Sequence, residues 1–367
     1  MTSSSRWARL KMLMQAELQH LTTINVSDRR WQMPFAAALA SGLPLMVGAY
    51  FDRMDYGLIS SLGGLVFLYL PETPMYHRMV YLMACAFAMI ASYALGVMSH
   101  FFPPLMMLVL TFTAILVSMV CRYYNLGPPG SLFFIMAASI GANSPGEVLQ
   151  VPLKVGLLTM GSLLACLIAF FYSLFMLRRV PPKPVTPLPA PTFDFVVFDS
   201  IIVGAFVGIS LALAQALQLE QAYWVPVSCL AVIQGMSLRA VWNKQVHRVV
   251  GTCVGLLLAW GLLSLPLDKW SISFVMIVLA FLIEILIVRH YAIAAIFITP
   301  MTILLVEATT LGHASPNVLI QARFFDTVLG CLVGLVGGIC LHSPRFRAVV
   351  GRQIRRLVPS RLLNQGG

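Results

Sequence analysis

Glu284 stands inside the run LAFLIEILIV, with apolar neighbours on both sides and no basic residue within a helical turn. A carboxylate placed in hydrocarbon is costly, and one retained there suits proton exchange. Pairing with an arginine of another segment is the structural alternative. Asp326 follows Arg323 by three residues, a spacing at which a helix brings the two side chains together. The pair therefore reads either as an ion pair near the outer surface or as a second proton-coupling carboxylate. Lys154 and Arg323 each open an apolar block in regions otherwise almost free of basic residues, where two cations attract an anionic solute. Long basic side chains at block ends also snorkel to phosphate headgroups, which is the competing role for each. Glu307 and His313 fall where a block meets water and need no role beyond solvation.

The elements that must position these groups are membrane spans. Of the 367 residues, 59% are hydrophobic and 10% charged, with mean hydropathy +0.87. The apolar residues form about twelve blocks, running from Met33–Phe51 to Phe324–Leu341, and each approaches bilayer length. The net charge of +11 does not imply nucleic acid, because the basic residues alternate between loops. Only Arg53, Lys154, Lys269 and Arg323 of the 24 fall on one side, an asymmetry that places both termini in the cytoplasm.

His77-Arg78-Met79-Val80 recurs as His247-Arg248-Val249-Val250, each copy just before the third block of a group of six. The expected fold is thus an all-α polytopic membrane protein of about twelve transmembrane helices in two parallel six-helix repeats. The expected units are a cytoplasmic segment 1–30, a first repeat 31–178, a Pro-rich cytoplasmic linker 179–197, a second repeat 198–342 and a basic cytoplasmic tail 343–367. Within the tail, Phe346, Val350, Ile354 and Leu357 interleave with arginines, which suits an interfacial helix and equally a disordered basic tail. Gly251/Gly255 and Gly330/Gly334/Gly338 have the small-xxx-small spacing of close helix packing.

The second, fifth, eighth and eleventh blocks are short and broken by glycine or proline, which marks them as the walls of a central pathway. The eighth, YWVPVSCLAVIQ, offers the aromatic faces of Tyr223 and Trp224 and the amide of Gln234; the eleventh adds Phe297 and Thr299. For Tyr223 and Trp224, an aromatic belt at the headgroups is the competing explanation. No phosphate-binding loop, zinc-hydrolase or nucleophile-elbow motif occurs, and the seven cysteines form no CxxC or Cys/His cluster. The reading is a non-enzyme without cofactor or metal, moved by an ion gradient or by the solute's own.

Four blocks of the second half resemble the fusaric acid resistance protein-like family of aromatic acid exporters. They are Tyr223-Trp224-Val225-Pro226; Arg239 with Arg248-Val249-Val250-Gly251-Thr252 and Gly255; Arg289-His290-Tyr291 leading to Phe297-Ile298-Thr299-Pro300; and Arg323 with Asp326-Thr327 and Gly330. The first half matches more weakly, with Tyr81-Leu82 after His77-Arg78 where the family has Gly-Thr. The resemblance implies an inner-membrane exporter of aromatic or other organic acids in Gram-negative-type bacteria, often beside a periplasmic adaptor of the membrane-fusion type. It leaves self-association open. Where the family carries a large cytoplasmic domain this chain has only the Pro-rich linker, and Asp194 and Asp199 enter the seventh block where basic residues are expected. A passive organic-anion channel and a non-transporting membrane scaffold are the alternatives.

Overall fold

A computed structural model describes residues 23–27, 29–310 and 316–357, with side chains except those of 306–310, 316, 356 and 357. His313 and the side chain of Glu307 lie outside the described residues. Among the described residues the fold is all helix, and eight helices are long and apolar enough to cross a membrane. In chain order the helices are α1 (Gln32–Tyr50), α2 (Met54–Gly64, continued as a 3₁₀ turn Leu65–Tyr69), α3 (Met75–Ser99), α4 (Pro103–Tyr123), α5 (Leu132–Ala142) and α6 (Val151–Leu177). There follow α7 (Asp199–Ala216, entered through a π-turn Asp194–Phe198), α8 (Trp224–Ile233), α9 (Leu238–Leu263), α10 (Lys269–Leu286), α11 (Tyr291–Thr310), α12 (Pro316–His342) and α13 (Pro344–Leu357). The shorter apolar stretches are Met54–Tyr69 of α2 and its 3₁₀ turn, α5, α8 and Tyr291–Leu305 of α11, where the sequence carries its glycine and proline breaks.

Helix ends follow local chemistry. Ser237 caps α9 by accepting the Ala240 N–H, and Asp268 caps α10 by accepting the Ser271 N–H at 2.9 Å. Proline sets the start of α4 and of α12, since its fixed φ suits the first turn and its missing N–H is not needed there. Inside a helix the missing N–H has another use. Pro44 leaves the Ala40 carbonyl without its helical donor, and a Cβ on Gly64 of α2 would lie 2.4 Å from that oxygen. Pro300 does the same to Ile296, whose oxygen would lie 2.6 Å from a Cβ on Gly255 of α9. Glycine thus brings a neighbouring backbone onto each proline-freed carbonyl.

Packing neighbours recur with a shift of six helices. α2 packs on α6 as α8 does on α12, and α3 packs on α5 and α6 as α9 does on α11 and α12. Two seams join the front and back of the chain, α4 against α7 and α10 against α1. The linker from 181 to 192 is exposed and irregular; Lys183 donates its N–H to the Glu72 carbonyl at 2.9 Å and pairs its Nζ with the Glu72 carboxylate at 2.5 Å. In the tail, α13 is helical, and Phe346, Val350 and Ile354 pack on Phe198, Ile202 and Leu341. Its apolar face is thus partly covered by the protein itself.

Candidate functional site

The four short helices surround a cavity of about 1490 Å³. Its walls are mainly apolar, from Leu62 and Leu65 of α2, Phe133 and Met136 of α5, Val227 of α8 and Met301 of α11. Arg122, Gln234, Lys244 and Glu284 lie toward one end, and Arg53, Lys154 and Glu220 toward the other. A cavity of this size and character takes a drug-sized organic molecule held by a few polar anchors.

The polar anchors differ in how far they are already engaged. Lys154 is buried and folded back onto the loop before α6, with Nζ donating to Ser144 Oγ at 2.9 Å and to the Pro145 carbonyl at 2.5 Å. It does not snorkel. Gln234 donates from Nε2 to Ser131 Oγ at 2.7 Å, fixing the end of α8 against the start of α5. Glu284 faces the cavity but pairs with Arg29 of the segment before α1, Nη1 to Oε2 at 3.1 Å. The apolar run around Glu284 gives no sign of this partner, which lies 255 residues away along the chain.

Arg323 departs furthest from its expected setting. A helix opening near Phe324 would leave this residue at the water, but α12 begins at Pro316 and carries Arg323 about 10 Å in from its start. Arg323 is 4% exposed and lines the cavity, with its guanidinium 4.4 Å from the centre of the Trp224 ring. Its Nε and Nη1 have no hydrogen-bond partner. Asp326 is fully buried and neither carboxylate oxygen has a partner, so the ion pair that the three-residue spacing suggests is not made. Trp224 is buried beneath Arg323 and Tyr223 stacks obliquely on it at 5.2 Å, both on the cavity wall rather than in a headgroup belt.

Phe297 and Thr299 point elsewhere. Phe297 packs toward Leu304 and the α1–α10 seam, while Thr299 is buried against Gly255 and donates to the Ala295 carbonyl at 2.9 Å. Neither is on the cavity wall; Ile298, Met301 and Thr302 of the same helix are.

Sequence reasoning passed over Arg248, whose signal was the recurring His-Arg pair. It is 6% exposed and lines the cavity, donating from Nη1 to Tyr291 Oη at 2.8 Å and from Nη2 to Ser228 Oγ at 3.1 Å. Its counterpart Arg78 is equally buried but turned onto the Thr73 carbonyl and Ser173. Asp199 is shared between Arg122 of α4 at 3.1 Å and Arg347 of α13 at 2.6 Å, and Asp194 pairs with Arg355 at 2.9 Å. Both acids at the head of α7 are thus neutralised locally and serve to hold α13.

Apolar helices of spanning length around a partly polar cavity define a multi-pass helical membrane protein with an internal cavity. Residues 208–337 match the fusaric acid resistance protein-like family. The chain is also similar to the uncharacterized membrane protein YvaC of Bacillus subtilis strain 168, 32% identical over 128 residues, 35% of this chain and 20% of that one. The chain thus matches a fifth of that relative's length. No solved structure matches the chain.

Proposed function

We propose that this protein is an inner-membrane secondary transporter that exports small aromatic or other organic acids, with both termini in the cytoplasm. The observation that carries the reading is the cavity itself, apolar walls closing on Arg248 and Arg323, two buried guanidinium groups with N–H donors left over for an anion. Twelve spans in two parallel repeats fit the packing that recurs six helices later and the two seams exchanged by the same shift. On this reading the proton gradient acts at Glu284, a carboxylate on the cavity wall whose pairing with Arg29 can be made and broken.

One observation favours a second reading, a passive organic-anion channel: the same cavity reaches from Arg122 and Lys244 near one end of the molecule to Arg53 and Lys154 near the other. Reconstitution into liposomes with a panel of aromatic acids separates the two. Saturable flux that follows an imposed pH gradient is expected of the exporter. Unsaturated flux that follows voltage alone would assign the channel, and no flux of any acid would end both readings.

A further inference from the structure

The charges buried around Arg323 do not cancel. Arg248 is bonded to Ser228 on α8 and Arg323 lies over Trp224, one turn earlier on the same helix, so the two guanidinium groups act within about 6 Å along α8. Asp326 sits three residues beyond Arg323 on α12, within reach of its field though not bonded to it. The other titratable groups around this trio are Tyr223, Tyr291 and Cys331, Lys244 one turn before Arg248 on α9, and Glu220, which is exposed to water at the cavity's end. With Asp326 ionised, two buried guanidinium groups against one buried carboxylate leave this trio a surplus of one.

We propose, building on the transport reading above, that Asp326 is the residue that sets the charge of the transported acid, making the site accept singly charged carboxylates and reject doubly charged ones. A monoanion between Arg248 and Arg323 brings the buried trio to neutrality, whereas a dianion overshoots it next to an unsatisfied carboxylate. Asp326 is not on the cavity wall, so it acts through the field at Arg323 rather than by touching the solute. It is a specificity-determining residue held one layer back.

The test uses purified full-length protein in liposomes, with benzoate as the singly charged probe and phthalate as its doubly charged counterpart on the same ring. Labelled benzoate uptake by counterflow is competed with each unlabelled acid at a pH where both are fully ionised. Wild type is expected to discriminate against phthalate, and Asp326→Asn to improve phthalate relative to benzoate on the order of tenfold, the factor that one unit charge contributes from about 10 Å away at an effective dielectric constant of about 20. Arg323→Gln, which leaves no surplus, is expected to lose benzoate, and Arg323→Gln/Asp326→Asn, which restores a surplus of one through Arg248, to regain much of it. That double variant also tests the idea if Asp326→Asn alone fails to fold. An unchanged benzoate-to-phthalate ratio in well-folded Asp326→Asn, or a double variant no better than Arg323→Gln, overturns the assignment while leaving transport intact. Wild-type protein that moves neither acid overturns the transport reading and this one together.

Discussion

Replacing Trp224 by leucine removes the surface on which the Arg323 guanidinium rests, 4.4 Å from the ring centre. A cation over an aromatic face in a desolvated setting is stabilised by about 2 kcal/mol, and leucine supplies none of it. The guanidinium then has one nearby alternative, the unsatisfied Asp326 carboxylate three residues along α12. Once swung onto Asp326 it is withdrawn from the cavity, and an incoming anion must displace it at a cost of up to about 2 kcal/mol, since wild type prefers the indole, which corresponds to an affinity loss of up to roughly thirtyfold. The half-saturation constant for a singly charged acid in counterflow should rise by up to that factor, with the melting temperature of the purified protein measured alongside. Trp224→Phe keeps a smaller π-face and should show only a fraction of the effect. A Trp224→Leu protein that melts like wild type and keeps the wild-type half-saturation constant would refute the claim that the indole holds Arg323 toward the cavity.

Close helix packing yields a second expectation. A Cβ on Gly161 would fall 1.8 Å from the Ser60 carbonyl oxygen, so Gly161→Val must push α6 off α2; destabilisation of about 3 kcal/mol or more should appear as a lowered melting temperature, and a wild-type melt would contradict the packing. If Arg29 and Glu284 form the proton-responsive pair, Glu284→Gln should flatten the dependence of efflux on external pH and Arg29→Gln should displace it, at normal membrane abundance; wild-type profiles in both would dismiss the pair. Asp268, outside the spans, is held below its ordinary carboxylate range by the Ser271 hydroxyl and N–H. Its stabilising effect is complete above the unfolded value of about 3.9 and lost as pH falls toward the folded one, so acidification through that window should lower the melting temperature of wild type more than that of Asp268→Ala.

Helical class, membrane character and the short helices were legible because they rest on composition and on local punctuation. Each is decided within one stretch of chain. The placement of Arg323 was misjudged because the polar residues before Phe324 look like a loop, whereas Pro316 starts a helix that runs through them. Glu284 looked solitary because its partner arrives from the segment before α1, and no pattern around either residue advertises the other. Phe297 and Thr299 were chosen for chemistry that does face something, but which side of α11 turns to the cavity depends on the contact of Gly255 with the backbone freed by Pro300. Arg248 carried a motif signal and was read as part of a basic loop, since burial of an arginine without an acid is a property of three dimensions alone.

The linker from 181 to 192 has a consequence for how such a protein diverges. A pair of identical six-helix chains would have to carry every cavity cation twice, on both sides of one axis. Joined end to end, the two halves are inherited as a fixed couple and are free to become unequal. Here Arg78 and Lys154 are occupied by nearby carbonyls and hydroxyls, while Arg248 and Arg323, which the two-repeat reading makes their counterparts, keep donors unspent. On the two-repeat reading, one half has fallen silent and the other keeps the chemistry, so that a nearly symmetric scaffold holds a lopsided site.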